Sequence, residues 1–424
     1  MQIVLNPSRA DWPTLLSRPA NDTSAIEKSV AKMLQHVQRK GDKAVRAFTK
    51  TFDKATLRKL EVTPKEIKAA RGGIDEQLKK AILTAADNIR RFHAAQLPVP
   101  EQVETMPGIL CRRKALPMQR VGLYIPGGSA PLFSTVLMLG IPAVLAGCPN
   151  IVLCSPPAPD GSLHPAILFA AETVGITRIF KVGGVQAIGA MAYGTESIPK
   201  VDKIFGPGNQ YVTLAKQLVQ QDGLAIDMPA GPSEVCVLAD MTAEPRFIAA
   251  DLLSQAEHGP DSQVLLVTTS ESLVHAVNKQ LAVQVAKLPR QTIATKALEN
   301  SRAIVAKDMD EAMDIVNAYA PEHLILSCKE YQLLSEKVVN AGSVFLGNYS
   351  PESVGDYASG TNHTLPTHGY ARAYSGVSID SFVKKITFQE LTKEGLERIA
   401  DTVTTMAEHE GLRAHAEAVR VRLN

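Results

Sequence analysis

Val121-Gly-Leu-Tyr-Ile125 reads as a strand, and Pro126-Gly-Gly-Ser-Ala-Pro131 breaks it. Proline brings no ladder donor and glycine allows sharp turns, so such a run ends a strand. An apolar helix follows at residues 135–145, then a second short apolar strand at 151–154. The rhythm continues with a helix at 165–174, a strand at 178–182 closed by Gly183-Gly184 and a helix at 186–193. A strand at 201–205, the turn Gly206-Pro-Gly-Asn209 and a helix to Val219 complete it. Strand–turn–helix repetition predicts a parallel sheet covered on both faces. Right-handed crossovers leave its loops at the C-terminal sheet edge, where ligands bind.

A second alternating block begins near residue 234, with strands expected at 235–238, 263–267, 303–305, 323–326 and 343–346. The fold class is therefore α/β: two Rossmann-like layered domains with parallel sheets, an N-terminal arm and a helical C-terminal tail. The expected divisions are an irregular arm over 1–23, a first α/β domain over 24–120 plus 234–376, a second over 121–233 and a tail over 377–424. Ser24-Ala-Ile-Glu27 has the spacing of a capping box opening a helix, with further helices at 43–52 and 64–94. Residues 350–376 are expected to form a long polar loop, ordered by its apolar and aromatic residues.

With 424 residues, the chain has room for roughly two to three domains. Its 45 Lys+Arg against 43 Asp+Glu leave a net charge of +2, which implies no nucleic-acid or membrane partner. No apolar run reaches transmembrane length and no secretory signal stands at the start, so a cytoplasmic protein is expected. The five cysteines are scattered without a C-x-x-C, which fits a reducing compartment. Cys154 reads as a small buried hydrophobe at a strand end.

Three stretches carry candidate chemistry. Asp251-Leu-Leu-Ser-Gln-Ala-Glu-His-Gly-Pro260 reads as the last turns of a helix, capped at its start by Thr242 and stopped by Gly259-Pro260. Gln255 and His258 share one face of its final turn, where an amide oxygen and an imidazole can both bind a metal. Glu322-His323 opens a strand after Pro321, and an adjacent acid and imidazole make a general-base pair if both serve the strand mouth. The loops Tyr124-Ile-Pro-Gly-Gly, Val182-Gly-Gly-Val-Gln186 and Gly206-Pro-Gly-Asn209 either let backbone approach a dinucleotide or merely turn the chain. None is G-x-G-x-x-G, and no acid stands at the usual distance for a ribose.

Six motifs, in order along essentially the whole chain, closely resemble histidinol dehydrogenases. They are Tyr124-Ile-Pro-Gly-Gly-Ser-Ala-Pro, Ile204-Phe-Gly-Pro-Gly-Asn, Pro229-Ala-Gly-Pro-Ser-Glu, Ser254-Gln-Ala-Glu-His-Gly-Pro-Asp-Ser, Ala320-Pro-Glu-His-Leu and Gly355-Asp-Tyr-Ala-Ser-Gly-Thr-Asn-His. The resemblance implies oxidation of L-histidinol through L-histidinal to L-histidine with two NAD, the final step of histidine biosynthesis. It implies one zinc ion per subunit on Gln255, His258, Asp356 and His415, with Glu322 and His323 as catalytic bases. It places NAD against Tyr124, Gln186 and Asn209 in the 121–233 domain. Substrate contacts fall on Ser233, Gln255, His258, His323, Asp356, Glu410 and His415. It also implies a homodimer that exchanges its C-terminal tails, so that Glu410 and His415 serve the partner's site. Glu410 and His415 lie about 140° apart on an ideal helix, and Gly411 between them predicts a break that lets both face one point. His36, His93, His363, His368 and His409 are expected to be structural. Two other readings remain: a zinc hydrolase using Glu322 to activate water, and an NAD-dependent dehydrogenase of another small amino alcohol or diol.

Overall fold

The computed structural model of the chain describes residues 1–19, 24–127, 131–229 and 231–423. The Ser24 side chain of the expected capping box, Gly128-Ser-Ala130 of the first turn, and Ala230 lie outside these.

The strands of the first block form a five-stranded parallel sheet in the order Ile179–Lys181, Asn150–Ser155, Arg120–Tyr124, Lys203–Phe205, Ala225–Ile226. Numbered along the chain, this is the doubly wound order 3-2-1-4-5. The second block repeats it as Arg302–Val305, Gln263–Thr268, Glu234–Ala239, His323–Ser327, Ser343–Leu346, again all parallel. Successive strand residues point to opposite faces, and both faces are covered, so these strands are apolar without a break. Val235 and Val237 pack under the helices Pro245–Ala256 and Glu271–Val285. Cys236 and Leu238 pack on the other face, against Met309–Tyr319.

Several expectations are corrected. The N-terminal arm is not irregular throughout: Gln2–Leu5 adds a sixth, edge strand beside Arg302–Val305. Ile3 and Val4 pack on opposite faces of that sheet, which a four-residue run cannot announce by itself. The helices of residues 24–94, expected with the second block, instead cover the five-stranded sheet. Ser24–Lys40 and Asp42–Phe52 pack on Gly184–Tyr193, and Glu76–Ala94 packs on Phe133–Leu145. The reason is apolar: Leu34 and Val37 share a core with Ile188 and Met191, and Ile82 and Ile89 share one with Leu137. Thr242 does not cap the helix before Gln255. That helix starts at Pro245, whose missing N–H suits a first turn, and Thr242 bonds Asp240 in a tight turn instead. The loop at 350–376 contains the helix Glu352–Tyr357 and a 3-10 turn at Tyr370–Arg372.

A third sheet was not foreseen. Val383–Leu391, Ile109–Pro117 and Glu101–Met106 pair antiparallel, and the two outer strands stand almost wholly exposed, so no burial period marks them in the sequence. Beyond it, the helices Lys393–His409 and Arg413–Arg420 pack mainly on each other. Among the described residues, no helix is long and apolar enough to cross a membrane, and all five cysteines are free.

Candidate active site

Glu322 and His323 stand where strand His323–Ser327 begins, next to Glu234 at the start of its neighbour. This is the N-terminal edge of the six-stranded sheet. The pair thus opens the strand, as expected. Ala320 makes the turn: it leaves helix Met309–Tyr319 in left-handed backbone, φ 53, and Pro321 follows. Gly342 lies against this corner, where a Cβ would come within 2.6 Å of the Glu322 carbonyl oxygen.

Both side chains are buried, and their partners aim them. The Glu322 carboxylate accepts from the Glu234 backbone N–H at 2.8 Å and from Gln255 Nε2 at 3.3 Å. His323 Nδ1 lies 3.6 Å from that carboxylate, and Nε2 lies 3.2 Å from Asp356 Oδ1. The imidazole thus sits between two acids. Burial pushes the Glu322 carboxyl above its usual range, partly offset by His323. Burial works against a charged His323, but the charge of Glu322 and the hydrogen bond to Asp356 hold its pKa well above normal. Burial would raise Asp356 too, and its bond to His323 with the nearby His363 and His258 lowers it overall.

Gln255 closes the cluster from the last turn of helix Pro245–Ala256. Its Nε2 lies 3.1 Å from His323 Nδ1 and 3.2 Å from the Glu234 carbonyl. Its Oε1 is buried without any partner. A buried amide oxygen left bare costs about 1–3 kcal/mol, so it marks a place for a donor or a cation. His258 follows one turn later, exposed and near enough to Asp356 to influence its titration. An amide oxygen, an imidazole and a carboxylate suit zinc. Among the described residues, no three His, Cys, Asp or Glu side chains gather closely enough to hold a metal unaided. Gln255, with its bare Oε1, adds a fourth kind of donor to that count. Ser233 directly precedes Glu234 at the same strand mouth.

Four further residues of this cluster have no local motif that announces a role. Arg18 makes two 2.8 Å bonds to the buried Glu234 carboxylate and lies over the Tyr319 ring at 4.0 Å. Glu234 closed one of the quoted motifs, yet nothing in the sequence links it to Arg18. His363, set aside as structural, places Nδ1 2.9 Å from the Asp356 carbonyl and Nε2 3.2 Å from Thr135 Oγ1. Glu352 is buried, is pushed up to about 8 by that burial, and accepts from Ser254 at 2.6 Å.

The second group lines a cavity of about 850 Å³ at the C-terminal edge of the five-stranded sheet. Tyr124, Gln186 and Asn209 all face it. Tyr124 ends one strand at the switch point of the sheet, and its hydroxyl accepts from the Gly184 N–H at 3.1 Å. Asn209 caps helix Gln210–Gln221 by accepting from the Tyr211 and Val212 N–H groups at 3.1 Å. Gln186 is buried, with Oε1 unpartnered and Nε2 3.4 Å from Asp53 Oδ2.

Glu410 and His415 are not brought to either place. Glu410 ends helix Lys393–His409, Gly411 takes φ 76, and His415 falls in the first turn of Arg413–Arg420, all three exposed.

An α/β enzyme with reactive groups at the mouth of one doubly wound sheet and a large cavity at the mouth of another is the class this arrangement defines. Comparison with known proteins narrows it. The family model for histidinol dehydrogenase matches residues 16–423. A histidinol dehydrogenase of Bacteroides thetaiotaomicron is 59% identical over 424 residues, covering 100% of this chain and 99% of the relative. One from Bacteroides fragilis is 57% identical over 423 residues, covering 100% of this chain and 99% of the relative. The crystal structure of histidinol dehydrogenase from Elizabethkingia anophelis superposes with a TM-score of 0.98 at 55% identity, covering 100% of this chain and 98% of that one. The chain belongs to the histidinol dehydrogenase family and is an oxidoreductase. The hydrolase reading has no support from these relatives.

Proposed function

We propose that the chain oxidises L-histidinol through L-histidinal to L-histidine, using two NAD and one zinc ion per subunit, in the cytoplasm. The observation that carries this reading is the buried imidazole of His323 held between Glu322 and Asp356, beside the bare amide oxygen of Gln255. Gln255, His258 and Asp356 would hold the metal from one chain, with His415 contributed by a second copy. When bound, zinc supplies charge and orientation for the substrate nitrogens, and NAD supplies the hydride acceptor of each oxidation.

The side chains of this protein divide the proton work. His323 in its neutral form takes the alcohol proton as the first hydride leaves carbon, and Asp356 and Glu322, which raise its pKa, steady the imidazolium that results. Glu322 then takes a proton from the water that attacks the aldehyde carbon, and loss of the second hydride gives the acid. Burial suits Glu322 to this, because a carboxyl with a raised pKa is a stronger base. Gln255 and the Glu234 N–H fix the Glu322 carboxylate, so the attacking water meets a defined geometry. Ser233 and Glu410 would contact substrate, and Tyr124, Gln186 and Asn209 the dinucleotide.

The homodimer with exchanged tails rests on what the tail lacks. Met406, Leu412 and Val421 are exposed, as are Ile386 and Phe388 on the strand that leads to it. A second copy would cover them and bring Glu410 and His415 to the neighbouring site. The test is NADH absorbance formed from NAD, zinc and histidinol, with two NADH per histidinol consumed. A ratio of one would limit the enzyme to alcohol oxidation. Faster turnover of another amino alcohol would transfer the assignment to that substrate.

A further inference from the structure

Doubly wound nucleotide folds usually offer an acid at the end of the second strand to hold a ribose. Here the second strand, Asn150–Ser155, ends in a serine and runs into Pro156 and Pro157. The carboxylate comes from elsewhere. Asp53 follows helix Asp42–Phe52, which packs on Gly184–Tyr193 outside the sheet, and it lines the cavity with Tyr124, Gln186 and Asn209.

Its surroundings are those of an acceptor awaiting a donor. Asp53 is half-buried, and among the described residues only Gln186 Nε2, at 3.4 Å, donates to it. Among the described residues, no other carboxylate and no Lys or Arg lines the cavity. Burial alone pushes Asp53 up to about 6, with no cation offsetting the lost water. Phe52 stands beside it, exposed, and also lines the cavity. Pro131 also lines the cavity and leads into helix Phe133–Leu145, whose Thr135 meets His363 at 3.2 Å. Asp53 lies beside Gln186, at 3.4 Å, and close enough to Tyr124 to act on it electrostatically.

We propose that Asp53 holds the adenosine ribose of the dinucleotide and selects NAD against NADP. The inference rests on the reading of this cavity as the NAD site. A carboxylate can accept from both hydroxyls of a ribose diol, and charge-assisted bonds of this kind are strong. A 2′-phosphate would remove one donor and set a dianion beside a carboxylate in a cavity with no Lys or Arg among its described residues.

The test is calorimetric binding of NAD and of NADP to the full-length protein and to Asp53→Asn and Asp53→Ser. Asp53→Asn should weaken NAD about ten-fold or more, the loss expected for a charged hydrogen bond. NADP should weaken less or tighten, so the preference for NAD narrows by about ten-fold in both variants. Unchanged affinities and an unchanged preference in folded variants would overturn the role of Asp53 while leaving the NAD site standing. If the unaltered protein binds neither dinucleotide, the cavity reading itself fails, and the inference with it.

Discussion

Gln255 turns its amide nitrogen to His323 Nδ1 at 3.1 Å and leaves its amide oxygen buried with no partner. An amide held by one end so that the other is bare is a donor waiting for a cation. Gln255→Ala should therefore lose metal before it loses fold. Zinc content by atomic absorption should fall well below one per chain while circular dichroism stays unchanged. Full zinc retention would remove Gln255 from the ligand set.

Chelation addresses the whole set. Removing zinc should abolish oxidation and lower the melting temperature, and added zinc should restore both, because a ligand of the native state stabilises it by mass action. Asp356→Asn should blunt the recovery. An enzyme equally active after exhaustive chelation would show that these residues do not work through a metal.

Glu322 and His323 should separate kinetically. Glu322→Gln keeps the shape but takes no proton, and only the aldehyde step needs an attacking water. Aldehyde oxidation should drop about 10²–10⁴-fold, the usual range for a lost general base, with alcohol oxidation less affected. Equal losses in both half-reactions would mean that Glu322 only orients the site.

Arg18 anchors the arm to the site through its paired bonds with Glu234, whose N–H holds Glu322. Both side chains are nearly fully buried, so Arg18→Ala leaves a carboxylate unpaired in the interior. The expected destabilisation is about 3–5 kcal/mol in urea unfolding, with part recovered when Glu234→Gln is added. A loss below about 1 kcal/mol would place the pair among the weak ones.

Asp53 also offers a pH test without any nucleotide. Burial pushes it from 3.8 to about 6, so the folded protein keeps a proton that the unfolded chain releases first. Stability then falls as pH rises from about 4 to about 6, and the loss is complete above that window. Because the group is half exposed, screening limits the effect to about 1 kcal/mol. Asp53→Asn should melt with the parent near about pH 4 and above it near about pH 7.5. Identical melting at both would show that solvent reaches Asp53 freely.

Most of the core was legible in the sequence because strands buried on both faces leave unbroken apolar runs, as in Val235-Cys-Val-Leu. The antiparallel sheet was not, since residues such as Glu101, Lys384 and Lys385 stand exposed and no period of burial marks them. The grouping of residues 24–94 failed for a different reason. An amphipathic helix declares that it has an apolar face, never which sheet that face will meet. At the site, Gln255 with His258 and Glu322 with His323 were readable as local pairs. Arg18 with Glu234, and Asp53 with Gln186, join residues far apart in sequence, and a single chain carries no trace of such meetings.

The edge strand Gln2–Leu5 pairs with Arg302–Val305, and the whole five-stranded sheet with its helices and the strands Glu234–Ala239 and Gln263–Thr268 stand between them in the chain. On a ribosome, the first strand emerges long before its only partner exists. The five-stranded sheet and its helical cover are complete in the chain well before then, and can fold while the amino terminus waits unpaired. Closing so long a loop makes this pairing a late event, and until it happens the edge at Arg302–Val305 is open to a strand from another molecule. Deleting the first few residues should therefore show itself in the yield of soluble protein during synthesis before it shows in the activity of whatever folds.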